Sequence, residues 1–238
     1  MMLFEERYSC IAEGPQPQEI VLLMGRGCFW KQCSFCDYHE DRGPDEESIP
    51  LDLKVLEQVT GEFGRLVALN SGSYFELPGV IRERIVEICR EKQIHHLHME
   101  SHWRLAKQTG ALKEALSEQG IFLHPRIGIE TFDEDFREDV MIKGMGKGLT
   151  AKTIAEIYDE CCLLFGMAGQ TPEQLMKDIE IAGTYFDKVY LNIFNDNTTA
   201  VKADPGLIQW FMEGPYQALK KDPTFCVLVE NTDLGVGD

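Results

Sequence analysis

The chain has 238 residues, 44% of them hydrophobic, and carries 40 acidic against 23 basic residues for a formal net charge of -17. That balance repels a phosphate backbone and argues against tRNA or DNA as a bound macromolecule, so a small substrate is expected. No apolar run approaches a membrane span, and the acidic start from Met1 to Tyr8 lacks a signal peptide's basic and apolar regions, so a cytoplasmic protein is expected.

Residues 1–19 read as an N-terminal extension and residues 20–238 as one core ending in a C-terminal strand. The first predicted strand is the apolar run Ile20 to Met24, and the cysteine run Cys28-Phe-Trp-Lys-Gln-Cys33-Ser-Phe-Cys36 follows it. Three cysteines in nine residues ask for a metal or cluster, and eight cysteines without a regular framework fit a reducing compartment. Three readings compete. A plant-type 2Fe-2S site shares the opening spacing but needs a fourth cysteine, and the next, Cys89, comes 53 positions later. A structural zinc could take Cys28, Cys33, Cys36 and His39. A 4Fe-4S cluster could be held by the three cysteines alone, with one iron left open for a ligand.

Further short apolar runs follow at Leu66 to Leu69, Leu97 to Glu100, Arg126 to Glu130, Leu163 to Gly166 and Val189 to Phe194. Between them lie helix signals. Ile81, Ile85, Ile88 and Cys89 form a stripe at i, i+4, i+7 and i+8, and Thr171-Pro172 and Asp204-Pro205 each place a capping side chain before a proline. Thr171 to Gln174 also reads as a capping box. Six strand-then-helix units predict an α/β fold, a partial (βα)6 open barrel with parallel strands in a single domain, which removes the ferredoxin reading. Chemistry in such sheets collects at the carboxyl ends of the strands, where the cysteine run lies. Cys10, Cys89, Cys161, Cys162 and Cys226 are expected to be buried packing residues. His96 and His98 share one strand face, but a strand-borne pair without carboxylates is more often structural than metal-binding.

The cysteine run, followed after the second predicted strand by Asn70-Ser-Gly-Ser-Tyr-Phe-Glu76, resembles the radical S-adenosylmethionine (SAM) superfamily over most of the chain. The first gap, four residues in place of the usual three, departs from that family's usual run. The resemblance implies a 4Fe-4S cluster on Cys28, Cys33 and Cys36, with SAM completing the open iron. It implies that Ser71, Gly72 and Ser73 meet the methionine end of SAM, and that Phe35 packs on its adenine side. Glu100, ending Met99-Glu100-Ser101, and Glu130, ending Ile127-Gly-Ile-Glu130, fall at family positions that meet the cosubstrate, as do Lys143, Gly166 and Gly169.

The compact length, the C-x4-C-x2-C spacing and the Asn-Ser-Gly-Ser-Tyr turn are most similar to the bacterial queuosine lyase group, which salvages queuine. That resemblance implies a 7-deazaguanine nucleoside or its 5'-phosphate as substrate, radical-initiated cleavage of its glycosidic bond, and an electron donor such as flavodoxin or ferredoxin. Asn192, Asn195 and Asn197 at the last predicted strand end can read the donor and acceptor edge of a heterocycle, and Tyr74, Glu76, His102 and Trp103 can line the same pocket. Lys143 or Lys147, in the glycine-rich segment 143–148, can take a phosphate. Another radical enzyme acting on a tRNA, nucleoside or protein, and a non-catalytic zinc or iron-sulfur module, are the competing functions.

Overall fold

A computed structural model describes residues 4–14, 16–230 and 233–236; the parts of the expected extension and core at 1–3, 15, 231–232 and 237–238 lie outside the described residues. The chain forms two compact units, Met1–Phe29 with Tyr38–Pro125 and Thr232–Asp238, and Trp30–Asp37 with Arg126–Asn231. The eight strands are ordered in the sheet as they are in the chain.

In the first unit β1 (Tyr8–Ile11) pairs antiparallel with β2 (Gln18–Leu23), and β2, β3 (Arg65–Asn70) and β4 (His96–Glu100) run parallel. Helices α1 (Asp45–Leu56), α2 (Gly79–Glu91) and α3 (Ala106–Ser117) alternate with the strands. The expected stripe of Ile81, Ile85, Ile88 and Cys89 is the buried face of α2 and packs with Val21, Leu23, Leu66 and Leu97. Each fully buried isoleucine contributes about 1.5–3 kcal/mol. The Cys89 thiol is pushed up to about 12 by burial, which leaves it a packing group.

The strand β5 (Phe122–Glu130) begins in the first unit and ends in the second. The second unit continues with α4 (Ala151–Ala155), β6 (Glu160–Phe165), α5 (Pro172–Tyr185), β7 (Lys188–Ile193), α6 (Pro205–Glu213), α7 (Tyr216–Leu219) and β8 (Phe225–Leu228). All of its strand pairs are parallel. The capping signals hold: Thr171 and Gln174 exchange side-chain and backbone bonds at 3.2 and 3.0 Å, and Asp204 Oδ1 accepts from Leu207 N at 3.0 Å.

The six predicted strands are β2 to β7, and the parallel α/β class, with strands in the sequential order of a partial barrel, is the one found. The short β1 escapes the alternation rule because its four residues, none of them buried, show no apolar face. One packing expectation is corrected. Cys89 and Cys161 are buried, but Cys10 and Cys226, on the edge strands β1 and β8, are exposed and half-buried, and Cys162 falls on a half-buried position of β6.

Asp52 on α1 is fully buried, and its Oδ1 accepts from Met24 N at 2.7 Å at the end of β2, four residues before Cys28. Its Oδ2 has no hydrogen-bond partner. Burial pushes the carboxyl up to about 7, the Met24 N–H and Arg7 pull it down, and Asp41 raises it again. The folded form thus keeps a proton that the unfolded chain loses near 3.8, and this contribution to stability falls as pH rises from about 4 to 7. Urea unfolding of the wild type should lose about 1.4 kcal/mol per pH unit between pH 5 and 7 relative to Asp52→Asn. Parallel pH profiles for the two proteins would show that Asp52 is already ionised in the fold.

Candidate active site

Each predicted site residue lies in a loop after the carboxyl end of a parallel strand or in the last residues of that strand. In the first unit the turn after β3 packs on the backbone of the first cysteine. A Cβ on Gly72 would lie 3.0 Å from Cys28 Cα and 3.1 Å from Cys28 N, and would also meet the Glu76 carboxylate. Glycine is required there for space. The Ser73 N–H donates to Glu76 Oε2 at 2.6 Å, while the Ser73 hydroxyl accepts from His102 N at 3.0 Å, so this turn is tied to the one after β4. Ser71 Oγ donates to Asp41 Oδ2 at 3.4 Å, and Asp41 is held by the buried Arg7 at 2.7 and 3.2 Å.

Asn70 completes this turn. It is buried, its Nδ2 donates to Ser73 O at 3.2 Å, and its Oδ1 has no partner. An orphaned buried acceptor costs about 1–3 kcal/mol, so it suits a ligand that brings a donor. Glu100 ends β4 half-buried, and the His102 ring stands edge-on to Phe29 at 5.4 Å. Trp103 opens a 3-10 turn after His102 and is half-buried. Two expectations change here. Tyr74 is 1% exposed, lies in the apolar core and gives its hydroxyl to Arg82 O, so packing is its first task. Glu76 caps the 3-10 turn Tyr74–Glu76 with its carboxylate, so its first task is to shape the turn.

In the second unit Cys33 and Cys36 pack against an apolar wall of Phe35, Met141, Met167 and Phe194. The loop that carries them has few bonds of its own, and neighbouring segments supply them. Ser34 N donates to Met141 O at 3.0 Å, Ser34 Oγ to Val140 O at 2.8 Å, and Trp30 Nε1 to Ile142 O at 2.7 Å. Asn197 Nδ2 donates to Phe35 O at 2.7 Å, and Asp37 Oδ2 accepts from Thr198 N and Oγ1 at 3.0 and 2.8 Å. Phe35 is therefore the apolar anchor of the loop, with its ring inside the wall.

Glu130 and Lys143 form a half-closed ion pair at 2.5 Å, with Lys143 Nζ 5.8 Å from the Phe35 ring centre. Burial opposes the charge on Lys143, but the Glu130 carboxylate and the Cys33 and Cys36 thiols outweigh it and hold its pKa above the usual lysine range. The pair is built in. A Cβ on Gly128 would lie 2.5 Å from Glu130 Oε1 and 2.8 Å from Lys143 Nζ, and Glu130 itself sits at φ +69 where the β5 register shifts. The fully buried Arg137 shapes the segment carrying Lys143, donating to Thr131 O, Gly146 O and Glu138. Gly128 and Arg137 were not among the predicted residues. A glycine inside a strand next to a glutamate was the one available signal for the first, and nothing local marks the second.

At the later strand ends Gly166 and Gly169 take left-handed φ of +100 and +95, so both serve the backbone path after β6. Asn192 Nδ2 reaches Leu163 O at 3.3 Å, and Asn195 Nδ2 reaches Ile193 O and Val229 O at 3.3 and 3.1 Å. Asn197 is spoken for on both sides: Nδ2 by Phe35 O, and Oδ1 by Thr199 N and Oγ1. Its bond to Phe35 O ties it to the cysteine loop. Lys147, the other candidate for a phosphate, is paired with Asp135 and Asp139 at 2.6 and 2.8 Å, which holds its pKa above the usual range. His96 and His98 do share a face, stacking with His124 at 5.2 and 4.5 Å. Among the described residues no three His, Cys, Asp or Glu side chains are grouped as a metal site. A cluster does not need such convergence, because each cysteine binds a different iron. Thiolate donors against an apolar wall, with a cation beside them, are a donor set that fits an iron-sulfur cluster.

No protein-family model and no curated protein matches the chain. Among solved structures it is similar to a queuine lyase from Clostridium spiroforme bound to SAM and queuine, with 42% sequence identity and a TM-score of 0.93. The match covers 98% of this chain and 100% of that one.

If Asn197 anchors the loop, Asn197→Ala should cost about 1–2 kcal/mol in urea unfolding and speed alkylation of Cys33 and Cys36 in the metal-free protein. Asn195→Ala, whose side chain donates to Ile193 O and Val229 O, should leave the alkylation rates near wild type. Equal rates in the two variants would remove the anchoring role.

Proposed function

The chain belongs to the queuine lyase family of radical SAM enzymes, and on that footing we propose that it frees queuine from queuosine or queuosine 5'-phosphate. The observation that carries this reading is the 42% identity, along essentially the whole chain, to an enzyme holding both SAM and queuine. Bound together and given one electron by a reductant, a 4Fe-4S cluster and SAM would supply methionine and a 5'-deoxyadenosyl radical able to take a hydrogen from the ribose and so start glycosidic cleavage. Cys28, Cys33 and Cys36 are the residues to hold the cluster, and the apolar wall behind the last two keeps water from it. Asn70 Oδ1 offers an acceptor for the methionine ammonium of SAM, and Ser71, Gly72, Ser73 and Glu100 are the other residues proposed to meet that end. Glu130, Lys143, Gly166 and Gly169 complete the cosubstrate side.

The base of the substrate presents ring N–H donors and a cationic side-arm amine, which call for acceptors. Glu76, His102, Asn192 and Asn195 are the groups proposed to meet it. An electron carrier of the flavodoxin or ferredoxin kind is the proposed reductant, and the cytoplasm the proposed compartment. No described helix is long and apolar enough to cross a membrane. The net charge of -17 favours a free nucleoside or nucleotide over tRNA.

Reconstituted without oxygen, the protein should bind about four irons per chain, and Cys28→Ala, Cys33→Ala and Cys36→Ala should each lose them while His39→Ala does not. With SAM and a reductant it should release queuine in step with 5'-deoxyadenosine. Formation of 5'-deoxyadenosine without queuine, from the nucleoside and its 5'-phosphate alike, would retain the cluster chemistry and discard the lyase reading.

A further inference from the structure

Lys143 is more tightly constrained than a residue waiting for a phosphate needs to be. The backbone on its N-terminal side, at Ile142, is left-handed at φ +53, and the backbone on its other side, at Gly144, is left-handed at φ +70. Gly144 could not carry a side chain, since a Cβ there would run into the Trp30 ring. The Lys143 N–H is fixed to Arg137 O at 3.0 Å, and the carbonyl of Ile142 is fixed by Trp30 Nε1 at 2.7 Å. Its ammonium is then locked on Glu130 Oε1 at 2.5 Å in a space that only glycine at 128 leaves open. A left-handed non-glycine residue costs about 1–3 kcal/mol and persists where the surroundings over-determine it. Here two such residues, Glu130 and Ile142, serve one ion pair.

The pair lies against the cysteine loop. Phe35, whose ring centre is 5.8 Å from the ammonium, stands between Cys33 and Cys36 in the chain, and both cysteines pack against the apolar cluster that holds its ring. The potential of an iron-sulfur cluster depends on its net charge and on the charges and hydrogen bonds around its sulfurs. A fixed cation favours the more negative, reduced form, and a carboxylate on its far side tempers that effect.

We infer that Lys143 is a positioning residue for the cluster's charge: its ammonium, set by Glu130 and the opening at Gly128, raises the reduction potential at Cys33 and Cys36. This inference rests on the cluster reading given above. It assigns opposite effects to the two members of the pair. Loss of the lysine charge makes reduction harder, and loss of the glutamate charge makes it easier.

The test is a redox titration of the reconstituted protein without SAM, followed by the electron paramagnetic resonance of the reduced cluster. Iron content near four in the wild type secures the cluster reading, and its absence would remove that reading and the inference with it. Lys143→Met should lower the equilibrium constant for one-electron reduction at least tenfold, about 59 mV toward negative potential, while Lys143→Arg stays near wild type. Glu130→Gln should move the potential the other way. A Lys143→Met potential equal to wild type, or shifts of the same sign in Lys143→Met and Glu130→Gln, would overturn the inference and leave the cluster in place. Should Lys143→Met retain no iron, Glu130→Gln decides: a positive shift supports the inference, and none or a negative one refutes it.

Discussion

The cysteine loop, proposed to hold the cluster, owns almost no regular structure, and much of what surrounds it answers that lack. A helix satisfies its own backbone groups and a strand pairs with its neighbours in the sheet, whereas a loop must find partners one by one. Here the partners come from segments after later strands: Val140, Met141 and Ile142 beyond β5, and Asn197 and Thr198 beyond β7. Phe35 adds the apolar half of the anchor by entering the wall formed with Met141, Met167 and Phe194. At the first cysteine the contact is of another kind. The backbone of Cys28 lies on Gly72, and the fit is steric.

Much of this was legible in the sequence. Six strands, the stripe on α2 and the caps on α5 and α6 are local signals, written in periodicities of two and 3.6 residues and in capping chemistry. The cysteine run and the turn after β3 are contiguous, so their spacing could be read directly. Individual side chains at strand ends were harder. Asn192, Asn195 and Asn197 look alike in sequence, and only the long-range bond from Asn197 to Phe35, 162 positions away, separates a loop anchor from a group available to a ligand. Tyr74 was misplaced for a related reason. A tyrosine after a strand end can face a pocket or the core, and the choice was made by Arg82 O eight residues on.

Small residues carry the site for distinct reasons, which a sequence shows only as a glycine. At Gly72 the neighbour is backbone, at Gly128 an ion pair, and at Gly144 an indole ring. Substitution at the first would push on the cysteine loop itself, so its effect could not be confined to a cosubstrate. At the second, a methyl group would have to displace either Glu130 or Lys143, each of which is already held by its own backbone.

The electrostatics of the protein run on two scales. A net charge of -17 sets a long-range field that disfavours polyanions and falls off within about 8 Å in physiological salt. Inside the fold the charges are local and paired: Arg7 with Asp41 beside the turn after β3, Arg137 with Glu138 under the segment 131–148, and Lys143 with Glu130 against the cysteine loop. Buried pairs are weak sources of stability, since desolvation offsets much of the attraction. Their value lies in geometry, because a charged group with several fixed partners cannot turn away. Each pair fixes a segment that lacks regular structure, and each of those segments borders a residue assigned to the cluster or its cosubstrate. The acidic exterior therefore decides what reaches the enzyme, and the buried pairs decide how the loops are held once it has arrived.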